Sequence, residues 1–332
     1  MDKKHFSELG FETYRQYRFP SIVNVCVLRG QCCCNCVHCP VGIVPEERRA
    51  VVFGSSVMDI GLFKKIVDEL AGYSGSVLRI HSVGEPLLWK RISDAVRYAS
   101  EKGVKQWLFT SLLTEDERLI RTLAEHCAIV EVSVNSTDRE SYSNTKGVDG
   151  FERVAENLRL LRSAVSRSST SARLLISRVQ SDDPVRDEAF IRFWKAQEGL
   201  ADDVFVRSYH DYNSLLEKRN PDTCSSGIQC LVHWNRFNID TDGSAVVCFN
   251  ELFKGVVVDS RLVYGNVRHE TIANIWKGDK MNRVRLAQMK QDYSIVEFSD
   301  NLPCTNCYSC QPLHGKRPTS EYQIGQFSQT VA

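Results

Sequence analysis

Nowhere does the chain approach the roughly 18 unbroken apolar residues that a membrane-spanning helix requires. Its opening stretch, MDKKHFSELGFETYRQYRF, is charged and lacks the apolar segment of a secretory leader, so the expected location is the cytoplasm. An excess of one charge is missing as well. The formal net charge is +1, and no basic stripe interleaves with aromatics, so neither nucleic acid nor a membrane surface is an expected partner. Internal repeats and long low-complexity tracts are also absent; SAVSRSSTSA is a short polar linker.

Cysteine, by contrast, is abundant. A 332-residue chain that is 42% hydrophobic and 25% charged is ordinary for a globular protein with a sizeable core, yet it carries 13 cysteines. In a reducing compartment such a count argues against a disulfide framework and for metal binding or catalysis. The cysteines fall into two groups, Cys26 to Cys39 and Cys224 to Cys310, with Cys127 alone between them. Two metal sites at opposite ends of a cysteine-poor scaffold are the expectation.

That scaffold reads as alternating strands and helices. SIVNVCVL, SVLRIHSV, KQWLFTSL, AIVEVSV, ARLLISRVQ and DVFVRSYH have strand character, separated by helical patterns such as MDIGLFKKIVDELAG and GFERVAENLRLLRSA. Thr114 is the expected N-cap of the helix in TEDERLIRTLAEH. Such alternation implies parallel β/α architecture, as an open sheet or a barrel, from about Ser21 to His210. Beyond about Arg219 the pattern changes. RFNIDTDGSAVVCF predicts a hairpin turning at Asp242-Gly243, and TIANIWKGDKMNRVRLAQMK predicts a helix before PCTNC.

In the first cysteine group one register, Cys32, Cys36 and Cys39, gives C-x3-C-x2-C. Three thiolates on one loop can hold three irons of a [4Fe–4S] cube and leave the fourth open. Zinc instead takes paired cysteines with a matching second pair nearby, and no such pair follows Cys36 and Cys39. In the second group Cys230, Cys248, Cys304 and Cys307 suffice for a fully ligated [4Fe–4S] cluster. Ligand type alone equally allows a four-cysteine zinc site there.

The C-x3-C-x2-C loop directly after the first strand, followed by HSVGEPLL after the second, resembles the radical SAM superfamily. His38 holds a position often aromatic in that family, and Val83 replaces the first glycine of its GGEPLL motif. The resemblance implies S-adenosylmethionine (SAM) contacts at Gly84, Glu85 and Pro86, with further contacts at Ser133, Asn135, Ser177 and Arg178 on later strand ends. It implies a partial (β/α)6 barrel over residues 21–219, after an N-terminal extension at 1–20. The Asp242-Gly243 turn before Cys248, Gly265-Asn266, Ile275-Trp276 and Arg283 or Arg285 resemble the SPASM/Twitch extension. That extension would span 220–315, with a tail at 316–332. The cysteine supply matches its single-cluster form, for two [4Fe–4S] clusters in all. The pattern resembles the 2-deoxy-scyllo-inosamine dehydrogenases and related epimerases. It implies a radical made by reductive SAM cleavage and an external one-electron reductant such as flavodoxin or ferredoxin.

Two outcomes follow from the resemblance. With the auxiliary cluster as electron acceptor, an alcohol becomes a ketone. With a spare thiol, Cys224 or Cys310, as hydrogen donor, a carbon centre is inverted. The segment before Cys32 does not look like a peptide-recognition domain, which favours a small polar sugar- or aminocyclitol-like substrate over a short peptide. Arg207, His210, Asp211 and Tyr212 are candidates to touch it. An electron carrier, an iron–sulfur scaffold or a zinc-binding protein would need no GEPLL motif. Cys26, Cys33 and Cys34 have no role derivable from spacing.

Overall fold

The computed structural model describes residues 3–168, 171–217 and 229–307. Cys224, Cys310, part of the 220–315 extension and the 316–332 tail lie outside the described residues.

Among the described residues nine strands form one sheet: β1 (Ile22–Arg29), β2 (Val77–Val83), β3 (Lys105–Thr110), β4 (Ile129–Ser133), β5 (Arg173–Val179), β6 (Asp203–Arg207), β7 (Arg236–Ile239), β8 (Ser244–Val246) and β9 (Val263–Asn266). Their order is β6-β5-β4-β3-β2-β1-β7-β8-β9. The first six pair in parallel with their sequence neighbours, as the alternating pattern predicts. They make a partial β/α barrel. Helices cover its outer face through apolar stripes: Ile60–Leu70, capped by Asp59, buries Leu62, Phe63, Ile66, Val67 and Leu70 against the sheet.

Inside the barrel, side chains of one parity stack in layers. Val77, Trp107, Ile129, Leu175 and Phe205, one from each of β2 to β6, form an apolar plug. Two residues along the same strands come Arg79, Phe109, Glu131, Ser177 and Arg207, because alternate side chains of a strand share a face. Arg79 lies over the Trp107 ring and Arg207 over those of Phe109 and Phe205.

The structure revises several local expectations. The predicted hairpin forms as β7 and β8, but β7 also pairs in parallel with β1, from Ile22 with Arg236 to Val25 with Ile239. It thereby covers the open edge of β1, which would otherwise expose unpaired backbone groups. The helix after strand β3 is capped by Asp116, whose Oδ1 accepts the Leu119 N–H at 3.0 Å; Thr114 instead accepts from Asp116 N. The helix Phe151–Arg167 continues into the stretch read as a linker. TIANIWKGDKMNRVRLAQMK divides at Gly278 into Ile272–Trp276 and Asp279–Lys290, since Gly278 adopts an extended conformation and starts the second helix. Arg139–Lys146, in a stretch read as loop, is a helix with Asp138 as its N-cap and Gly147 as a left-handed C-cap.

The N-terminal segment packs into the junction of barrel and C-terminal part: Trp234 Nε1 donates to the Leu9 carbonyl at 2.8 Å, and Trp276 Nε1 to that of Gln16 at 2.9 Å. At the end of β1 the buried Arg29 makes the other main junction. Its Nη1 donates to Asp240 Oδ2 at 2.9 Å and to the Val256 carbonyl at 3.0 Å, and Nη2 reaches the Leu252 and Gly255 carbonyls. Removing one partner of a buried ion pair strands the other charge, so Arg29→Ala is expected to cost about 3–5 kcal/mol. Replacing both partners, Arg29→Met with Asp240→Leu, should recover most of that loss. Urea unfolding of the variants measures both.

Candidate active site

The cysteine loop follows β1 directly and is fastened from several sides. From the helix Arg139–Lys146, the Lys146 carbonyl accepts the Asn35 N–H at 2.7 Å and the Thr145 carbonyl accepts the Val37 N–H at 3.1 Å. Arg49, fully buried, donates to the carbonyls of Cys32 and Val44 and to Asn35 Oδ1. Two glycines permit closer approach than any side chain would. A Cβ on Gly42 would collide with the Cys36 backbone, and one on Gly84, at φ +146°, with the Gln31 carbonyl. The GEP turn is thus pressed on the loop, with Glu85 N–H donating to the Gln31 carbonyl at 2.8 Å.

Glu85 joins this turn to the next strand end. Its Oε1 accepts from Thr110 Oγ1 (2.6 Å) and Leu87 N–H (3.1 Å), and its Oε2 from Ser111 N–H (2.8 Å) and Ser111 Oγ (2.6 Å). These donors have no other acceptor of comparable strength, so Glu85→Ala should destabilise the chain by about 1–3 kcal/mol for each buried group left unsatisfied. A shifted urea midpoint is the expected result.

Both cysteine groups line one cavity of about 230 Å³. Cys32, Cys36, Cys39, Gly84, Glu85, Pro86 and Ser133 stand on its wall, and so do Cys230, Cys248, Cys304 and Cys307. The remaining predicted contacts are placed differently. Asn135, at φ +67°, donates to Ser133 Oγ and accepts the Val179 N–H, so it ties β4 to β5 behind the wall. Ser177 is buried, with its hydroxyl oxygen unpartnered, and does not reach the cavity. Arg178 points the other way, to Asp187 and over the Phe190 ring, because it has the opposite parity on β5. Arg207, His210 and Tyr212 line the cavity; Asp211 is buried beneath them, accepting from the backbone of Asn213 and Ser214.

Several wall residues were not anticipated. Lys146 is buried with Nζ 3.3 Å from Ser133 Oγ; burial lowers its pKa, but Cys36, Cys34, Cys32 and Glu85 more than offset this and raise it. The D-x-x-S capping pattern before it, and Gly147 after it, were the available signals. His233, three residues after Cys230, brings Nε2 to 3.2 Å from Cys304 Sγ. Arg285, fully buried, donates to the His233 carbonyl at 2.8 Å, whereas Arg283 pairs with the exposed Glu297. That resolves which of the two arginines braces the cysteine module. Cys26 is fully buried and packs with Phe53 and Val246, and Cys33 turns to Ser111 and Leu113. Cys34 lies on the cavity wall.

Family models match twice: the radical SAM superfamily over residues 21–189, and the SPASM iron–sulfur cluster-binding domain over 230–311. The chain belongs to the radical SAM superfamily. No curated protein matches it. Among solved structures it is similar to BtrN in complex with AdoMet and 2-DOIA, at 17% identity and TM-score 0.54, covering 90% of this chain and 96% of that one. It is also similar to Streptococcus suis SuiB bound to S-adenosylmethionine, at 12% identity and TM-score 0.63, covering 89% and 78%. A third is anSMEcpe with bound AdoMet, at 12% identity and TM-score 0.57, covering 93% and 100%. These likenesses establish the fold.

Membership of the superfamily implies a [4Fe–4S] cluster and SAM, and the SPASM domain implies further iron–sulfur. The donor set fits. Among the described residues no three His, Cys, Asp or Glu side chains converge as a single-ion site. The three motif thiols of the first loop and four of the C-terminal part line the same cavity, and thiolate is the donor that a [4Fe–4S] cube takes, one per iron. Burial pushes Cys39 up to about 11 and Cys248 up to about 12, so these thiols must release protons when they take iron.

Two histidines, His233 buried and His81 half-buried on the cavity wall, give the chain an acid-sensitive stability. Burial, then Arg79, Arg207 and Arg236, hold His81 down at about 3; burial, then Arg285, do the same for His233. The unfolded chain binds these protons near pH 6.5 and the folded chain does not, so stability is full above that pH and falls as pH drops toward about 3. Between about pH 7 and pH 5.5 the cluster-free chain is expected to lose on the order of 1 kcal/mol per histidine. Urea midpoints against pH should show a shallower slope for His81→Gln.

Proposed function

We propose that this radical SAM enzyme oxidises an alcohol carbon of a small polar, sugar-like substrate to a ketone. The observation that carries the reading is the shared cavity: a substrate held there lies between the three-cysteine loop and the four-cysteine module. When bound, the first cluster with SAM supplies a hydrogen-abstracting radical and the second accepts one electron, so the alcohol loses a hydrogen atom, a proton and an electron.

The chain's own residues bind, orient and shield. Cys32, Cys36 and Cys39 would hold the first cluster, and Cys230, Cys248, Cys304 and Cys307 would hold the second. The Gly84-Glu85-Pro86 backbone and Ser133 receive SAM at the cavity wall, with Asn135 and Ser177 shaping that wall from behind. Arg178 braces the end of β5 through Asp187. Phe249, Phe253 and Tyr212 close the side of the cavity and exclude water, which protects a radical from quenching. Residues 21–219 form the radical-generating part and 220–315 the auxiliary-cluster part, served by an external one-electron reductant. BtrN, in its complex with 2-DOIA, supports a small-molecule substrate, whereas SuiB has been solved with the precursor peptide SuiA.

Anaerobic reconstitution should give about eight irons per chain, with one of two EPR signals shifting on addition of SAM. Cys304→Ala with Cys307→Ala should remove about half the iron and abolish turnover of a polyol while SAM cleavage persists. Deuterium at the oxidised carbon should appear in 5′-deoxyadenosine with formation of a ketone. An epimerised product carrying solvent deuterium, lost in Cys224→Ala or Cys310→Ala, would replace oxidation by the thiol-donor reaction.

A further inference from the structure

The four-cysteine module sets two side-chain N–H donors beside its cysteines. His233, 2% exposed and on the cavity wall, brings Nε2 to 3.2 Å from Cys304 Sγ. Its other ring nitrogen, Nδ1, lies 3.5 Å from the Tyr264 hydroxyl. The backbone that carries the ring is fixed from both sides. The His233 N–H donates to the Cys230 carbonyl at 3.0 Å, and the His233 carbonyl accepts from Arg285 Nε at 2.8 Å.

Where the imidazole proton sits follows from the chemistry of iron ligation. A thiolate bound to iron has no proton left to give, so the Cys304 contact persists in the loaded protein only with hydrogen on Nε2. A neutral imidazole carries one N–H, which makes Nδ1 an acceptor. The Tyr264 hydroxyl is placed to donate to it. An outer partner of this kind fixes the tautomer of an imidazole that faces a metal site.

Gln288, on the helix Asp279–Lys290, repeats the pattern. Its Oε1 accepts the Cys230 N–H at 2.8 Å, which sets the orientation of the amide and leaves Nε2 as its donor. Gln288 is 1% exposed and lines the cavity, and Nε2 has no hydrogen-bond partner among the described residues. A buried amide donor is costly until an acceptor arrives. The sulfur of a cluster held by these cysteines is such an acceptor.

We propose that His233 and Gln288 donate N–H hydrogen bonds to sulfur of the second cluster and thereby raise its reduction potential. Reduction adds a negative charge to a cluster, and N–H donors stabilise the more negative state, so hydrogen bonds to sulfur are among the levers on iron–sulfur potentials. The low dielectric of a buried site strengthens the effect. The inference rests on the second cluster of the oxidation reading and adds what makes that cluster an electron acceptor.

The enzyme is produced with 15N-labelled histidine, reconstituted and reduced. The EPR signal that SAM does not shift is then titrated against potential and examined by electron spin echo for 15N. The wild type should show a weak 15N coupling on that signal. His233→Leu should abolish the coupling and lower the reduced-to-oxidised ratio at a given potential about tenfold, a shift of about 59 mV to the negative for one electron. His233→Gln, which keeps an N–H, should lose the coupling but move the potential less. Gln288→Leu should move the potential in the same direction with the histidine coupling retained, and the SAM-responsive signal should keep its potential throughout. No coupling in the wild type, a strong coupling from direct ligation, or an unchanged or raised potential in His233→Leu overturns the proposal. An equal shift at both clusters reports general loosening and overturns it as well. If the variants do not hold iron, the wild-type coupling decides alone. Zinc in the second site, with no second signal, removes the proposal and the oxidation reading together. The expected coupling and potentials without deuterium transfer from a polyol leave the two donors standing and remove the oxidation reading alone.

Discussion

The contact of the GEP turn with the cysteine loop governs the rest of the site. Gly84 lies against the Gln31 carbonyl with no room for a side chain, and the Glu85 N–H bonds to that same carbonyl. Glu85 then reaches across to Thr110 and Ser111 at the end of β3. One turn thereby fixes three neighbouring strand ends and the loop that carries Cys32, Cys36 and Cys39. Chemistry at an open iron requires such rigidity, since a misplacement of about 1 Å can cost a hundredfold in rate.

A second dependence links the two halves of the molecule. Strand β7 comes from the C-terminal part, yet it pairs with β1, and Arg29 at the end of β1 holds Asp240 and three carbonyls of the same part. The strand that delivers the first cysteine group therefore also anchors the segment that delivers the second. Both groups face one cavity as a consequence of that pairing. The electrostatics of the chamber follow from strand parity: the residues that put an apolar plug at one level put Arg79 and Arg207 at the next.

Much of the site was legible because its chemistry constrains spacing. The C-x3-C-x2-C spacing of Cys32, Cys36 and Cys39 lies within one loop, so it is visible as a motif without any tertiary information. Strand β1, all eight residues of which are buried, was visible as a largely apolar run interrupted by Asn24 and closed by Arg29. Arg178 shows where this ends: a strand-end residue is predictable, but the face it takes depends on register, and one position of difference sends it to Asp187 instead of the cavity. Lys146 was hidden because eight residues of low hydrophobicity, RESYSNTK, carry no apolar stripe and are held helical by caps and by their contacts with the cysteine loop.

The sequence by itself determined the superfamily, the parallel β/α barrel and the two sets of cysteines, since each depends on local periodicity or on ligand spacing along the chain. The tertiary structure alone decided that the two sets share a cavity, that β7 joins the barrel sheet, and that arginines from β2, β6 and β7 meet around His81. Those facts depend on strand pairing between segments more than 200 residues apart, as in the Asn24–Asn238 contact. No local pattern encodes such a pairing; it arises when the edge of β1 must be covered and the barrel interior filled.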